Sequence, residues 1–175
     1  STGVGGNGAF KMADSVVRDF SSIGVQVYGP VAPELRNTLF RDDGFAASLD
    51  SGVIDPDLIS GNTASGGGVR LLLLSGEVTE SGTMTSQSSL PLGLGGPSNC
   101  VGGGGLGLYC GQFKIDTGAT LTLGAGTVVK SGSGYSSLDV AGSLVAAGTA
   151  TDPVVFTSLL DDAAGGDSNG DGNAT

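Results

Sequence analysis

Residues 112–160 read QFKIDTGATLTLGAGTVVKSGSGYSSLDVAGSLVAAGTATDPVVFTSLL. Runs of about four to six β-branched and apolar residues alternate here with Gly, Ser, Thr and Asp, which predicts short strands and tight turns and no helix. Two segments share one pattern of strand, small-residue corner and strand: LTLGAGTVVK from Leu121 and LDVAGSLVAA from Leu138. Their starting positions differ by 138 − 121 = 17. Such a return is typical of a chain that winds around an axis and stacks each turn on the previous one.

The N-terminal part of the chain carries a repeat of its own. PELRNTLFRDDG starts at Pro33 and PDLISGNTASGG starts at Pro56, so the two starts differ by 56 − 33 = 23. An earlier copy places Val17 on Phe40 at the same offset, 40 − 17 = 23. Because Gly, Ser, Asn and Asp interrupt every window of a dozen residues, a helical repeat is disfavoured. We therefore expect a solenoid of about six to eight coils made of short strands.

Composition limits the partners of this chain. Glycine supplies 34 of 175 residues without the strict period of collagen, and 7 basic residues stand against 17 acidic ones, for a net charge of −10. A chain with this balance cannot assemble a basic patch for phosphates, so we expect no nucleic acid partner and favour a divalent cation. The longest apolar run, Val69–Leu74, contains Arg70 and is too short to cross a bilayer, so we expect no membrane insertion.

These patterns divide the chain into four regions. Residues 1–76 are predicted to form coils with a period of about 23, residues 77–111 an irregular Gly/Ser-rich excursion or module junction, residues 112–160 further coils, and residues 161–175 an acidic surface loop.

Three segments carry a resemblance to a known group: GATLTLGAGTVVK, LDVAGSLVAAGTATDPVVFTS and the acidic DDAAGGDSNGDG. Together they resemble the right-handed parallel β-helix repeat proteins of bacterial and archaeal cell surfaces. The resemblance implies an all-β, right-handed parallel β-helix, an extracellular or cell-surface location, and a chain that is an excerpt or repeat unit of a longer polypeptide. It does not imply one activity, because this fold serves enzymes, adhesins and fibres alike.

The acidic loop contains the first half of a calcium-loop pattern. Oxygen-bearing side chains occupy its positions 1, 3 and 5, with the turn-forming Gly172 at position 6; these are Asp167, Asn169 and Asp171. Hard oxygen ligands at this spacing favour Ca²⁺. The alternative is a solvated acidic turn, since Asp, Asn and Gly are common in any tight loop.

Four more residues are candidate ligands of the same ion. Asn173 would offer its carbonyl oxygen and Thr175 would fill position 9, while Asp161 or Asp162 would replace the missing glutamate of position 12 if the loop folds back on the last strand.

Cys100 and Cys110 flank a Gly-rich segment. In an oxidising compartment this pair would form a local disulfide; the alternative is two free thiols.

Asn37 and Asn62 are predicted to lie in corresponding corners, at an offset of 62 − 37 = 25. They form either a coil-to-coil hydrogen-bonded ladder or two ordinary turns.

No residue constellation indicates catalysis. The chain has no His, and the repeated pairs Arg18–Asp19 and Arg41–Asp42 are more typical of a charged corner than of a unique site. We therefore expect no enzyme and no catalytic residues, and favour a structural module of a fibre, adhesin or sheath that stacks on copies of itself or on neighbouring repeats. The alternative is a carbohydrate-binding or polysaccharide-cleaving β-helix with a groove along Arg18, Arg41 and Arg70.

Overall fold

The computed structural model describes residues 4–6, 8–87, 89–94, 112–131 and 137–172. These residues form eighteen short strands and one 3-10 turn at Pro56–Leu58. The strands are β1 Val4–Gly6, β2 Lys11–Ala13, β3 Val16–Arg18, β4 Ile23–Gly29, β5 Glu34–Arg36, β6 Leu39–Arg41, β7 Phe45–Val53, β8 Ile59–Ser60, β9 Thr63–Ser65, β10 Val69–Val78, β11 Gly82–Met84, β12 Leu92–Leu94, β13 Phe113–Ile115, β14 Thr120–Leu123, β15 Val128–Ser131, β16 Leu138–Val140, β17 Ser143–Ala146 and β18 Val155–Ser158.

The strands are arranged as a parallel β-solenoid of about five turns. The main sheet follows the order β1-β4-β7-β10-β12-β15-β18, with β13 between β10 and β16, and three smaller sheets are ordered β2-β5-β8, β3-β6-β9 and β11-β14-β17. Neighbours within each sheet are parallel and come from successive turns. The predicted all-β parallel β-helix is thus confirmed, with fewer coils than expected.

The N-terminal repeat has the register that the sequence predicts. Val17 is the strand partner of Phe40, and Phe40 is the partner of Ala64, so the partners' residue numbers differ by 40 − 17 = 23 and then by 64 − 40 = 24. All three side chains are buried inside the coil. Apolar side chains from successive coils stack on one another along the axis and form columns in the interior. Each fully buried large side chain contributes about 1.5–3 kcal/mol to the free energy of unfolding.

The repeat that relates Leu121 to Leu138, in contrast, is not a stacking period, and that prediction is wrong. Leu121 pairs with Leu144, an offset of 144 − 121 = 23, and Phe113 pairs with Leu138, an offset of 138 − 113 = 25. The first strands of the two segments lie on different faces of the solenoid: β14 belongs to the β11-β14-β17 sheet, whereas β16 pairs with β13 of the main sheet. They resemble each other because every corner of a coil needs the same sequence of strand, small residue and strand.

The described part of residues 77–111 comprises 77–87 and 89–94 and contains strands. β11 and β12 lie within this range, and β12 pairs with residues 72–74 of β10 while β13 pairs with residues 76–78. β12 and β13 are therefore the two halves of one coil position, and residues 95–111 lie between them. The predicted Cys100–Cys110 disulfide falls outside the described residues and stays a prediction.

Within the described ranges, no helix has the length and apolarity that a membrane span requires.

Candidate functional site

The segment that follows β18 folds back over the outer face of the main sheet; we call residues 159–172 the acidic strap. Its far end reaches β10, where the Arg70 backbone N–H donates to the carbonyl oxygen of Ser168 at 2.8 Å. There the backbones nearly touch, because a Cβ on Gly170 would lie 2.8 Å from the carbonyl oxygen of Gly68. Since β18, β15, β12 and β10 are successive neighbours in the sheet, the strap runs along the solenoid axis across four coil positions.

Lys130 of β15 lies beneath the strap. Its neighbour Val129 points into the core, so the Lys130 side chain points outwards, yet it is only 1 % exposed because the strap covers it. Its ammonium donates to the carbonyl oxygens of Asp161 and Gly166, at 2.8 and 2.9 Å, and to the Ser168 hydroxyl at 2.7 Å. All three of its protons have an acceptor, which is what a buried ammonium requires.

The pKa of Lys130 is lowered by burial, and the negative charges of Asp161, Asp162 and Asp167 oppose that shift. Lys130 thus places a buried positive charge beneath the acidic strap.

Three strap carboxylates converge. One oxygen from each of Asp162, Asp167 and Asp171 lies within 4.8 Å of the others. Both carboxylate oxygens of Asp162 are buried and have no hydrogen-bond partner. A buried, unpartnered carboxylate is costly unless a cation or donor approaches it. The set consists of hard oxygens in a turn-rich segment, which fits Ca²⁺ better than a softer metal.

Asp167 is fixed by the backbone of the strap. Its two carboxylate oxygens accept from the N–H groups of Gly170 at 2.6 Å and Gly172 at 3.1 Å. Burial alone would raise the pKa of Asp167, but these hydrogen bonds and the positive charge of Arg70 outweigh it, and the pKa is lowered. Asp167 is therefore held in the ionised form that a metal ligand needs.

The predicted ligands divide into two groups. Asp162, Asp167 and Asp171 meet, whereas the Asp161 carboxylate accepts from the Thr157 hydroxyl at 2.5 Å and the Ala163 N–H at 3.0 Å. Of the two alternatives for position 12, Asp162 is the one that reaches the cluster.

The amide of Asn169 contacts the cluster through Asp171. Its nitrogen donates to the Asp171 carboxylate at 2.6 Å, and its oxygen accepts from the Asp171 N–H at 3.3 Å. Asn173 and Thr175 lie outside the described residues.

Sequence reasoning gave no role to Lys130 or Ser168, which together organise the strap. The available signal was weak: Lys130 ends the sequence run TVVK at a position that alternation places on the outside.

Asn37 and Asn62 both bond between coils, but they do not stack on each other. Asn62 is fully buried; its amide donates to the Leu35 carbonyl and the Gln87 side chain, and its oxygen accepts from the Thr38 N–H. The coil period at this position is 62 − 38 = 24, which aligns Asn62 with Thr38.

Asn37 occupies the neighbouring column. It is exposed, has a φ of 48° and donates to the Asp14 carboxylate at 3.0 Å. It is thus a turn residue with one bond between coils.

A second candidate surface is the last described coil, β16–β18, which we call the terminal coil. Its strands pair on one side with β13, β14 and β15, and within the described residues no strand pairs with their other side. Val140 stacks on Ile115 and Phe156 on Val129, continuing interior columns, yet Val140 is 43 % and Phe156 49 % exposed. The terminal coil therefore presents the cross-section of the core to solvent.

The three arginines of the predicted groove come from two sheets. Arg18 and Arg41 are partners in the β3-β6-β9 sheet, each 3.6–3.9 Å from its neighbouring aspartate, whereas Arg70 belongs to the main sheet. Exposed pairs of this kind contribute little to stability.

No protein-family model, curated protein or solved structure matches this chain. The strap and the terminal coil are therefore the features that bear on function.

Proposed function

We propose that this chain is a structural module of a secreted or surface-anchored fibre, adhesin or sheath, which assembles by stacking its coils on a second copy or on neighbouring repeats. The observation that carries the proposal is the exposure of Phe156, which continues a buried column of the core but is 49 % exposed.

The physical reason is that a solenoid has two open ends. An unpaired strand edge with apolar side chains is a template for another strand, and soluble proteins usually protect it with charge, proline or a covering segment. Val140 and Phe156 of the terminal coil are 43 % and 49 % exposed, so none of the described residues covers them fully. Adding one parallel coil would satisfy the backbone groups and bury these side chains together.

Calcium is the second part of the proposal. The ion would be held by Asp162, Asp167 and Asp171, with Asn169 close by, and would neutralise carboxylates that otherwise repel one another. Three protein carboxylates in an exposed strap are typical of the weaker extracellular calcium modules, with dissociation constants of about 10⁻⁴–10⁻³ M. The ion would stiffen the rod by fixing a segment that crosses four coil positions.

Negative-stain microscopy of the chain at rising concentration tests this function. Filaments or end-to-end rods support it. Particles that stay single while the protein is retarded by, or cleaves, a polysaccharide would favour the carbohydrate-binding or carbohydrate-cleaving alternative.

A further inference from the structure

Lys130 contacts the segment that carries the proposed calcium ligands but does not bond to the ligand carboxylates. We infer that Lys130 is the positioning residue of the calcium site: its ammonium holds the strap in the conformation in which Asp162, Asp167 and Asp171 converge. This inference rests on the calcium binding proposed above and adds a cause for the geometry of the site.

The Lys130 ammonium makes three hydrogen bonds to the strap. Its three acceptors are two backbone carbonyls and one hydroxyl, and none is a carboxylate oxygen. A lysine that paired with the aspartates would compete with a metal ion for the same oxygens. Here Lys130 brings its positive charge close to the acidic strap but bonds to backbone carbonyls, and the carboxylate oxygens of Asp162 stay without a hydrogen-bond partner.

The three contacts are spread along the strap. The acceptors at Asp161, Gly166 and Ser168 enclose the two ligands Asp162 and Asp167. One buried ammonium thus contacts the segment that carries two of the three carboxylates on both sides of each ligand.

The strap is also held at two other places. Its apolar anchor is Leu159, which packs on an outer cluster that includes Phe45 and Leu71, and its far end bonds to Arg70. The strap takes left-handed turns at four glycines, two between these points and two beyond Ser168, a conformation that glycine adopts freely but does not enforce; these are Gly165, Gly166, Gly170 and Gly172. Lys130 supplies the contact in the middle of the segment.

Electrostatics and positioning predict opposite signs for the removal of Lys130. If the lysine acted only as a nearby positive charge, deleting it would strengthen calcium binding. If Lys130 positions the ligands, its removal leaves a strap that the ion itself must order. The measured calcium affinity is then the intrinsic affinity multiplied by the fraction of chains already in the binding-competent conformation, so it falls. Loss of a group that orients metal ligands commonly costs about 10–100-fold in affinity.

The test is calcium titration by calorimetry on the full chain and two variants. Lys130→Met keeps the length and removes the charge, and Ser168→Ala removes one acceptor without altering any charge. We expect calcium affinity to fall about tenfold or more in Lys130→Met and by a smaller factor in Ser168→Ala. Lys114→Met is the matched control, because Lys114 is also a strand lysine but pairs with Glu77 and Asp116; its affinity should stay near that of the native chain.

Hydrogen exchange at the Arg70 amide gives a second readout that reports strap docking directly. Without calcium, exchange at this amide should be faster in Lys130→Met than in the native chain, and calcium should slow it in both. If Lys130→Met fails to fold, as judged by far-UV circular dichroism, Ser168→Ala and the exchange measurement carry the test.

The outcomes separate the two proposals. If the native chain binds no calcium, both the calcium proposal and this inference fail. If the native chain binds calcium and both variants bind it equally well or more tightly, the calcium site stands and the positioning role of Lys130 is refuted.

Discussion

The ammonium of Lys130 lies 2.7 Å from the hydroxyl of Ser168, a residue 38 positions later in the chain. Both residues are buried, at 1 % and 0 % exposure. This contact joins a strand of the solenoid to a segment that composition alone marks as a solvated loop. The acidic strap is therefore an ordered outer layer over the main sheet.

Calcium should stabilise the native chain, and the effect should depend on Asp162. At a concentration one hundred times the dissociation constant, a single bound ion adds about 2.7 kcal/mol to the free energy of unfolding. Asp162→Asn should lose most of this gain, because an amide cannot supply the carboxylate charge.

Without calcium the same substitution should leave stability unchanged or raise it, since it removes an unpartnered buried carboxylate. Thermal unfolding with calcium and with EDTA measures both effects. The control is Glu80→Gln, which makes the same charge change at an exposed position. An EDTA-insensitive melting temperature in the native chain would refute the calcium site.

Self-association should depend on the inward-facing residues of the terminal coil. Phe156→Ser removes an apolar side chain that a stacked coil would cover, which is worth about 1.4 kcal/mol, or tenfold in the association constant. Val145→Ser is the matched control: Val145 is 44 % exposed in the same coil but pairs with the outward-facing Thr122. Sedimentation equilibrium of both variants checks this, and equal weakening by the two substitutions would contradict it.

Asn62 should be one of the most sensitive polar positions. Asn62→Leu leaves the Thr38 N–H, the Leu35 carbonyl and the Gln87 side chain without their partner inside the coil. Each buried unsatisfied group costs about 1–3 kcal/mol, so we expect a loss of roughly 2–4 kcal/mol from at least two such groups. Urea unfolding measures it.

The corresponding change at the exposed Asn37 provides the comparison. Asn37→Gly should cost no more than about 1 kcal/mol, because glycine tolerates the φ of 48° and one exposed hydrogen bond is lost. If both substitutions cost the same, the distinction between a buried bridge and a turn residue is wrong.

Asp43 should make stability decrease as the pH rises. Its side chain is 5 % exposed and one carboxylate oxygen has no partner. Burial raises the pKa of Asp43, the Phe20 N–H opposes this, and Asp19 and Asp42 raise it further. A raised pKa in the folded state means that this group's contribution is complete below the ordinary aspartate pKa and is lost as pH rises through the folded value.

Asp43→Asn keeps an acceptor for Phe20 and removes the charge. It should therefore raise the free energy of unfolding at neutral pH, by about 1–3 kcal/mol, and the gain should vanish in acid, where Asp43 is protonated. Denaturant unfolding at several pH values measures this difference, and a gain that does not change with pH would refute the assignment to ionisation.

The solenoid could be predicted from the sequence because residues one coil apart carry similar local sequence patterns. The offset between Val17 and Phe40 is visible in the sequence, and the two residues are strand partners. The offset between Leu121 and Leu138 is equally visible but misleading, because corners on different faces of a coil use the same residues. Sequence similarity between two segments therefore does not show whether a full turn of the solenoid or only part of a turn separates them.

The candidate site could be predicted only in part, for a related reason. Asp167 and Asp171 are close in sequence and fit a local motif, so spacing indicated them. Lys130 and Arg70 contact the strap only because it folds back across the main sheet, and no local pattern encodes that path.

The central claim is that the terminal coil stacks on further coils, and sedimentation velocity of the native chain tests it most directly. Between micromolar and submillimolar concentration, in calcium, we predict a weight-average sedimentation coefficient that rises steadily as rods lengthen. A single species with the coefficient of the monomer across the whole range would contradict the claim.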